Sequence, residues 1–229
     1  MGIVADGMGG RSGGRKASDQ VMMTARQLFE RFDPQTDSPI ELLQTLVRDA
    51  HTVIRLTAIS AEQEPHSTVA AFVLLPQGPC HIAHSGDSRI YHFRDSRLRW
   101  RSKDHSYVQS LVDRGELTEA QAQFHPQSNI LIGCLGTMED PPIGLHVIHG
   151  FGPGDALMAC SDGIWHYFSP HELSAVIEGL SPSEATRFLI DKARLRAQGT
   201  GDNLSLIVLK SEAIGDDEDG PSTVRAPLA

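Results

Sequence analysis

The spacing of apolar and polar positions changes several times along this chain. Apolar residues recur at helical spacing from near Gly14–Lys16 to about Phe32, from Pro39 to about Ala61, and in a later segment that ends near Ala197. A serine, then proline, then glutamate three residues after the serine is typical of a capped helix start. Three such motifs occur, beginning at Ser38, Ser169 and Ser181.

The middle of the chain has short apolar runs that predict strands. The predicted strands cover residues 2–6, 67–75, 80–86, 88–93, 97–101, 143–149, 155–161 and 203–210. The fourth and fifth of them predict a hairpin around Arg94–Ser96, and Ser106–Gly115 and Thr118–Phe124 predict two short helices. Because the strands form a consecutive block between helical pairs, the pattern favours an α+β layered domain with largely antiparallel sheets.

Composition and charge narrow the organisation and the partners. With 229 residues the chain can bury a sizeable core, and we expect one domain over residues 1–210. Residues 211–229 are acidic and predict a disordered tail. The net charge is −9, of which residues 212–229 supply −4 and the body −5. A mildly acidic body argues against nucleic acid as the main partner and suits a protein that collects cations.

The cysteines and the start of the chain indicate a compartment. Cys80, Cys134 and Cys160 are far apart, odd in number and without metal-ligand spacing, which predicts buried, reduced thiols in a cytoplasmic protein. Asp6 interrupts the first apolar run, so we expect neither a signal peptide nor insertion into a membrane.

Four aspartates share one local context. Asp6, Asp87, Asp162 and Asp202 each lie at the end of an apolar run and beside Gly, Ser or Asn. Any one Asp-Gly pair is most simply a turn, but four in the same context favour a shared site for a cation that offsets their repulsion. Carboxylate and carbonyl oxygens are the ligands of Mg²⁺ and Mn²⁺ rather than of zinc.

The glycine-rich stretch after Asp6 admits a rival interpretation as a phosphate-binding loop. That loop requires G-x-x-x-x-G-K-[ST]. Lys16 is preceded by Arg15 and followed by Ala17, so the sequence misses the pattern.

Five segments occur in an order that identifies a family resemblance. They are VADGMGG, GDSRIYHFRDSRL, SKDHSYVQSLVDRGELTEAQAQFHPQSNIL, ACSDGIW and GDNLSLIV. Together they resemble the bacterial branch of the PP2C-like, or PPM, metal-dependent serine/threonine protein phosphatases, over about residues 3–210. The resemblance implies an α-β-β-α sandwich of two antiparallel sheets flanked by helices. It also implies hydrolysis of phosphoserine and phosphothreonine by a metal-activated water, reversing the action of a kinase.

The same resemblance assigns roles to individual residues. Asp6 would bridge two Mn²⁺ or Mg²⁺ ions, the Gly7 carbonyl would bind one of them, and Asp162 and Asp202 would complete the other. Asp6, Asp162 and Asp202 are therefore the predicted catalytic residues.

Further residues follow by motif match. Asp87 corresponds to the acid that, with the aspartate of ACSDGIW, holds a third, weaker ion in bacterial members. Asn203 would contact the metal ligands rather than the ions. Phosphorylated proteins, a bacterial Ser/Thr kinase among them, are the implied partners of a monomeric enzyme, and residues 106–135 match a flap beside the active site.

The resemblance also leaves an alternative open. Family members carry a segment before the VADG strand with another strand, a phosphate-holding arginine and an Asn-Glu-Asp run, whereas Met1 stands inside the predicted strand. We therefore expect either a fragment or mis-started reading frame, or a natural truncation. The second functional hypothesis is a truncated, catalytically impaired phosphatase-like module that binds a partner.

Two conspicuous side chains have simpler interpretations. Arg89, in GDSR, is predicted to be a buried ion-pair partner rather than a substrate clamp. Trp165, like Trp100, is predicted to pack in the core or on the hairpin.

Overall fold

The structure is a computed structural model that describes residues 1–61, 64–76, 78–199 and 201–212. Its strands are β1 (Gly2–Val4), β2 (Gly7–Met8), β3 (His66–Ser67), β4 (Val69–Leu74), β5 (Cys80–Ser85), β6 (Arg89–Arg94), β7 (Arg97–Arg101), β8 (Gly144–Ile148), β9 (Asp155–Cys160) and β10 (Leu206–Lys210). Its helices are α1 (Gly10–Arg31), α2 (Pro39–Ala61), α3 (Tyr107–Asp113), α4 (Glu119–Gln123), α5 (Asp162–Trp165), α6 (Pro170–Gly179) and α7 (Pro182–Ala197).

The described strands form two four-stranded antiparallel sheets and one short ladder. The first sheet has the order β1-β4-β5-β8, the second has the order β10-β9-β6-β7, and β2 pairs with β3. Every pairing in these sheets is antiparallel, which confirms the predicted sheet type.

Three layers of buried side chains separate four layers of backbone. The apolar sides of α1 and α2 pack against one face of the first sheet, through Val69, Ala71 and Val73 of β4. Ala70 and Phe72 of the same strand point to the other face and meet the second sheet. The outer face of the second sheet packs against α5, α6 and α7. This is the predicted α-β-β-α sandwich, and it explains the unbroken apolar run of β4, since both of its faces are buried.

Local signals fix several boundaries. Ser169 and Ser181 form reciprocal capping boxes with the glutamates three residues later, at the start of α6 and α7. The turn between β6 and β7 places Asp95 and Ser96 at φ 49° and 63°, the left-handed pair of a tight hairpin. The capped helices and the hairpin confirm the sequence predictions.

Other boundaries differ from the predictions. Helix α1 begins at Gly10, before the predicted start at Gly14–Lys16, because Gly9 takes a left-handed conformation (φ 113°) that turns the chain directly into the helix. The last strand begins at Leu206 rather than at residue 203. The single turn α5 was not predicted. The predicted disordered tail lies outside the described residues beyond Glu212.

Within the described part of the chain, we find no helix that combines the length and the apolar character of a membrane span.

Candidate metal centre

One edge of the sandwich gathers the four predicted aspartates. In the first sheet, Val4 pairs with Ala70 at the end of β1, and Asp6 follows two residues later. In the second sheet, Cys160 pairs with both Arg89 and Leu206, so the end of β9 meets the starts of β6 and β10.

The aspartates occupy the loops at these strand ends. Asp162 opens α5 directly after β9, and Asp202 lies in the loop before β10. Asp87 lies in the loop from β5 to β6, which joins this edge of the first sheet to the same edge of the second. The antiparallel register therefore brings aspartates 40 or more positions apart to one edge.

The pKa of Asp6 is altered by burial and by the neighbouring carboxylates. Burial raises its pKa to about 7, and repulsion from Asp162 acts in the same direction. The side-chain interaction of Asp6 with Asp162 raises the Asp6 pKa further, and so does the charge of Asp202. The Gly7 N–H opposes these effects. Asp6, Asp162 and Asp202 thus lie within electrostatic reach of one another rather than scattered.

Asp87 belongs to the same electrostatic cluster. Burial raises its pKa to about 8, assisted by the negative charges of Asp162, Asp104 and Asp6, and opposed by Arg89. The pKa of Asp162 is also raised, by burial first and by Asp202 second. Burial and mutual repulsion both disfavour the ionised carboxylates, so a bound cation would stabilise their negative charge.

The oxygen donors of these aspartates suit a hard divalent cation, although their side chains do not yet have the spacing of a complete metal site. Asp162 Oδ1 is buried and has no hydrogen-bond partner, which leaves an oxygen free for a ligand. Among the described residues, no three His, Cys, Asp or Glu side chains already have the spacing of a metal site. The available donors are oxygens, which suits Mg²⁺ or Mn²⁺. The individual ligand assignments therefore remain predictions.

Two hydroxyl residues join the loop of Asp6 to the loop of Asp87. The Asp6 N–H donates to Thr68 Oγ1 at 3.0 Å, and the Thr68 N–H donates to the Asp6 carbonyl oxygen at 2.8 Å. Thr68 Oγ1 lies 2.6 Å from Ser88 Oγ, beside Asp87. Both hydroxyl groups are buried. Neither residue was predicted from the sequence, since only their partners distinguish them from ordinary strand-end hydroxyls.

A third hydroxyl joins the loops of Asp162 and Asp202. Ser161 Oγ donates to the Asn203 carbonyl oxygen at 3.2 Å and accepts the Ser205 N–H at 3.2 Å. Asn203 was predicted to support the ligands, and its N–H donates to Asp202 Oδ1 at 2.7 Å. The two loops are therefore held together by the backbone of one and a side chain of the other.

Glycines permit close approaches around the site. An added Cβ at Gly7 would lie 1.9 Å from the Gly14 carbonyl oxygen, so the start of α1 can lie against the Asp6 loop only without a side chain there. An added Cβ at Gly163 would lie 2.4 Å from the Asn203 carbonyl oxygen. Both motif glycines are thus required by space.

Beside Asp87, a buried ion pair confirms the expectation for Arg89. Its guanidinium donates two hydrogen bonds to the Asp104 carboxylate, at 2.8 and 2.7 Å. The side chains are 14% and 5% exposed, and a third N–H reaches Tyr91 Oη at 3.3 Å. The guanidinium carbon lies 3.4 Å from the centre of the Trp165 ring.

The segment 106–135 covers a cavity next to this ion pair. The cavity has a volume of about 250 Å³, and its wall includes Arg89, Arg101, Glu119 and Trp165. Helices α3 and α4 lie where two short helices were predicted, and Ser106 and Thr118 cap them.

Comparison with known proteins identifies the family. The family model described as Protein phosphatase 2C matches residues 1–196. The chain belongs to this family, and the resemblance and fold class inferred from its motifs are confirmed.

Individual relatives agree with this membership. The serine/threonine protein phosphatase PstP of Mycobacterium tuberculosis is 31% identical over 210 residues, which cover 90% of this chain and 39% of PstP. A solved Streptococcus agalactiae serine/threonine phosphatase is 28% identical with a TM-score of 0.83, covering 92% of this chain and 86% of that one. The PstP catalytic domain, solved with two manganese ions, is 27% identical with a TM-score of 0.75, covering 90% of this chain and 85% of that one.

Proposed function

We propose that this protein hydrolyses phosphoserine and phosphothreonine in proteins, at a site of divalent cations held by its clustered aspartates. The observation that carries the proposal is the gathering of Asp6, Asp162 and Asp202 at one edge of a protein phosphatase 2C sandwich, where each alters the electrostatic environment of another. The solved PstP domain with two manganese ions supports Mn²⁺ or Mg²⁺ as the cofactor.

The proposed ligands follow the motif match. Asp6, the Gly7 carbonyl, Asp162 and Asp202 would hold two ions, and Asp87 with Asp162 would hold a weaker third. Such ions, when bound, supply an acidified water as the nucleophile and offset the negative charge of the phosphoryl group.

The protein's own contribution is position and charge. Thr68 and Ser88 fix the Asp6 and Asp87 loops relative to each other, and Ser161 fixes the Asp162 and Asp202 loops. Because burial and repulsion disfavour the ionised carboxylates, the site gains stability when cations neutralise them. Rigid loops then lose little entropy when the site is filled.

The cellular setting is part of the same proposal. The three cysteines are buried and free, which supports work in the reducing cytoplasm. We assign the activity to one domain over residues 1–210, acting as a monomer on phosphorylated proteins that include a bacterial Ser/Thr kinase and its targets.

The direct test is hydrolysis of p-nitrophenyl phosphate and of a phosphothreonine peptide with Mn²⁺ and with EDTA. We expect turnover of both substrates that requires Mn²⁺ and falls at least ~10²-fold in Asp162→Ala. Asp191→Ala, on the exposed side of α7, is the matched control and should keep wild-type activity. Absence of Mn²⁺-dependent turnover in a folded protein would favour the catalytically impaired module instead.

A further inference from the structure

Trp165 makes a polar contact that core packing does not require. It is the last residue of α5, three positions after Asp162, and it is only 7% exposed. Its indole Nε1–H donates to the carbonyl oxygen of Asp87 at 2.9 Å. One side chain therefore joins the turn that carries Asp162 to the loop that carries Asp87.

The indole ring is itself held in place from one face. The Arg89 guanidinium lies over the ring at 3.4 Å, and its two-pronged pair with Asp104 fixes the plane of the guanidinium. A buried cation over an indole is attracted by the negative face of the ring. Rotation of Trp165 would break this contact as well as the hydrogen bond to Asp87.

A series of contacts connects the buried ion pair to the backbone of Asp87. Asp104 orients Arg89, Arg89 orients Trp165, and Trp165 orients the Asp87 backbone. Ile164 and Phe168, which share the apolar cluster with Trp165, offer no acceptor for the indole N–H, so packing alone does not require that group. The N–H serves only the Asp87 loop among the contacts described for this side chain.

We infer that Trp165 is a positioning residue, which sets the distance between Asp87 and Asp162 and thereby the affinity of the cation site that these two acids would share. The inference rests on the proposed function, because it concerns the same site. Outer contacts that orient metal ligands typically change metal affinity 10- to 100-fold when they are removed.

The experiment measures Mn²⁺ binding to the full chain without substrate, by the electron paramagnetic resonance signal of free Mn²⁺. We expect the weakest-binding Mn²⁺ ion of Trp165→Phe to bind about tenfold more weakly than that of the wild type. The smaller ring also weakens the contact with Arg89, so the melting temperature of Trp165→Phe in EDTA should fall somewhat, independently of Mn²⁺.

A matched control comes from the second tryptophan. Trp100 lies on β7 and stacks on His146 at 4.1 Å, and none of its described contacts involves the four aspartates, so Trp100→Phe should bind Mn²⁺ as the wild type does. Because the sequence has two tryptophans, Trp100→Phe leaves Trp165 as the single one. Biosynthetic replacement of that residue by benzothienylalanine, which keeps the ring shape and lacks the N–H, should reproduce the loss seen in Trp165→Phe.

Each outcome decides the question. Unchanged Mn²⁺ affinity in the benzothienylalanine protein would overturn the inference even if Trp165→Phe fails to fold. An equal loss in Trp100→Phe would also overturn it, since the effect would then not depend on the Asp87 contact. A wild-type protein that binds no Mn²⁺ would contradict the proposed function itself, which is a distinguishable result.

Discussion

The hydroxyl oxygens of Thr68 and Ser88 lie 2.6 Å apart, and this contact links the backbone of Asp6 to the loop of Asp87. Thr68 thus holds one aspartate through its backbone and its hydroxyl group together. Neither residue is charged, yet both help to fix the positions of the Asp6 and Asp87 loops. The buried hydroxyl groups therefore help to position the carboxylates of the site.

The first prediction removes this hydroxyl group. Thr68→Val keeps the side-chain shape but leaves the Asp6 N–H and the Ser88 hydroxyl without a partner, which should cost about 1–3 kcal/mol of stability. We expect kcat for p-nitrophenyl phosphate to fall about tenfold, since small misplacements of reacting groups have large effects on rate. Thr68→Ser, which restores the hydroxyl, should recover most of the activity. Equal activity of the two variants would show that the hydroxyl has no such role.

The second prediction concerns the close approach at Gly163. An added Cβ would lie 2.4 Å from the Asn203 carbonyl oxygen, so Gly163→Ala must push apart the loops of Asp162 and Asp202. Overpacking of this kind costs about 1–3 kcal/mol, and Mn²⁺-dependent activity should fall as well. Thermal unfolding and steady-state kinetics measure the two effects. Gly179→Ala is the control, because nothing lies within 4 Å of a Cβ there; similar behaviour of both variants would contradict the steric argument.

The third prediction concerns cation binding and stability. Mn²⁺ at about 100 times its dissociation constant should stabilise the folded chain by about 2.7 kcal/mol. For a domain of this size the melting temperature should rise by about 5–10 °C. Asp162→Asn should lose most of this rise, whereas Asp191→Asn should keep it. A rise that persists in Asp162→Asn would place the stabilising ion elsewhere.

The fourth prediction concerns stability in acid. Asp155 is 2% exposed, and its burial is outweighed by hydrogen bonds from Arg94, His92 and the Gly152 N–H, which lower its pKa from 3.8 to about 2. Because the folded-state pKa is the lower one, ionised Asp155 stabilises the fold above pH about 4 and this contribution is lost as the pH falls toward 2.

The measurement is urea unfolding of Asp155→Asn at several pH values. The substitution should remove about 2 kcal/mol at pH 6 and much less at pH 2, where wild-type Asp155 is becoming protonated. A loss that is the same at both pH values would assign the effect to packing instead.

Local chemistry explains which parts of the fold the sequence predicts. The capping boxes at Ser169 and Ser181 need only four consecutive residues, and the hairpin turn needs only Asp95 and Ser96. The start of α1 was missed because a glycine in the left-handed conformation leaves no periodic signal. The turn α5 is too short to show a period.

The same distinction between local and long-range signals applies to the residues of the site. The four aspartates were found because each has the same neighbours in sequence, and the fold then brings them to one edge. The partners that orient them were not found, since Thr68 meets Ser88 across 20 residues and Trp165 meets Asp87 across 78. Hydrogen bonds of this kind depend on the register of whole sheets, which a local pattern does not encode.

The two sheets contribute unequal parts of the proposed metal site, so the site can form only after both sheets have folded. Asp6 comes from the first sheet and Asp162 from the second, so hairpins that have formed separately hold no complete set of carboxylates. Phosphatase activity during refolding would therefore report the moment at which the two halves of the sandwich dock. A chain that has formed all its secondary structure, but whose two sheets have not yet packed together, would show no activity in that assay.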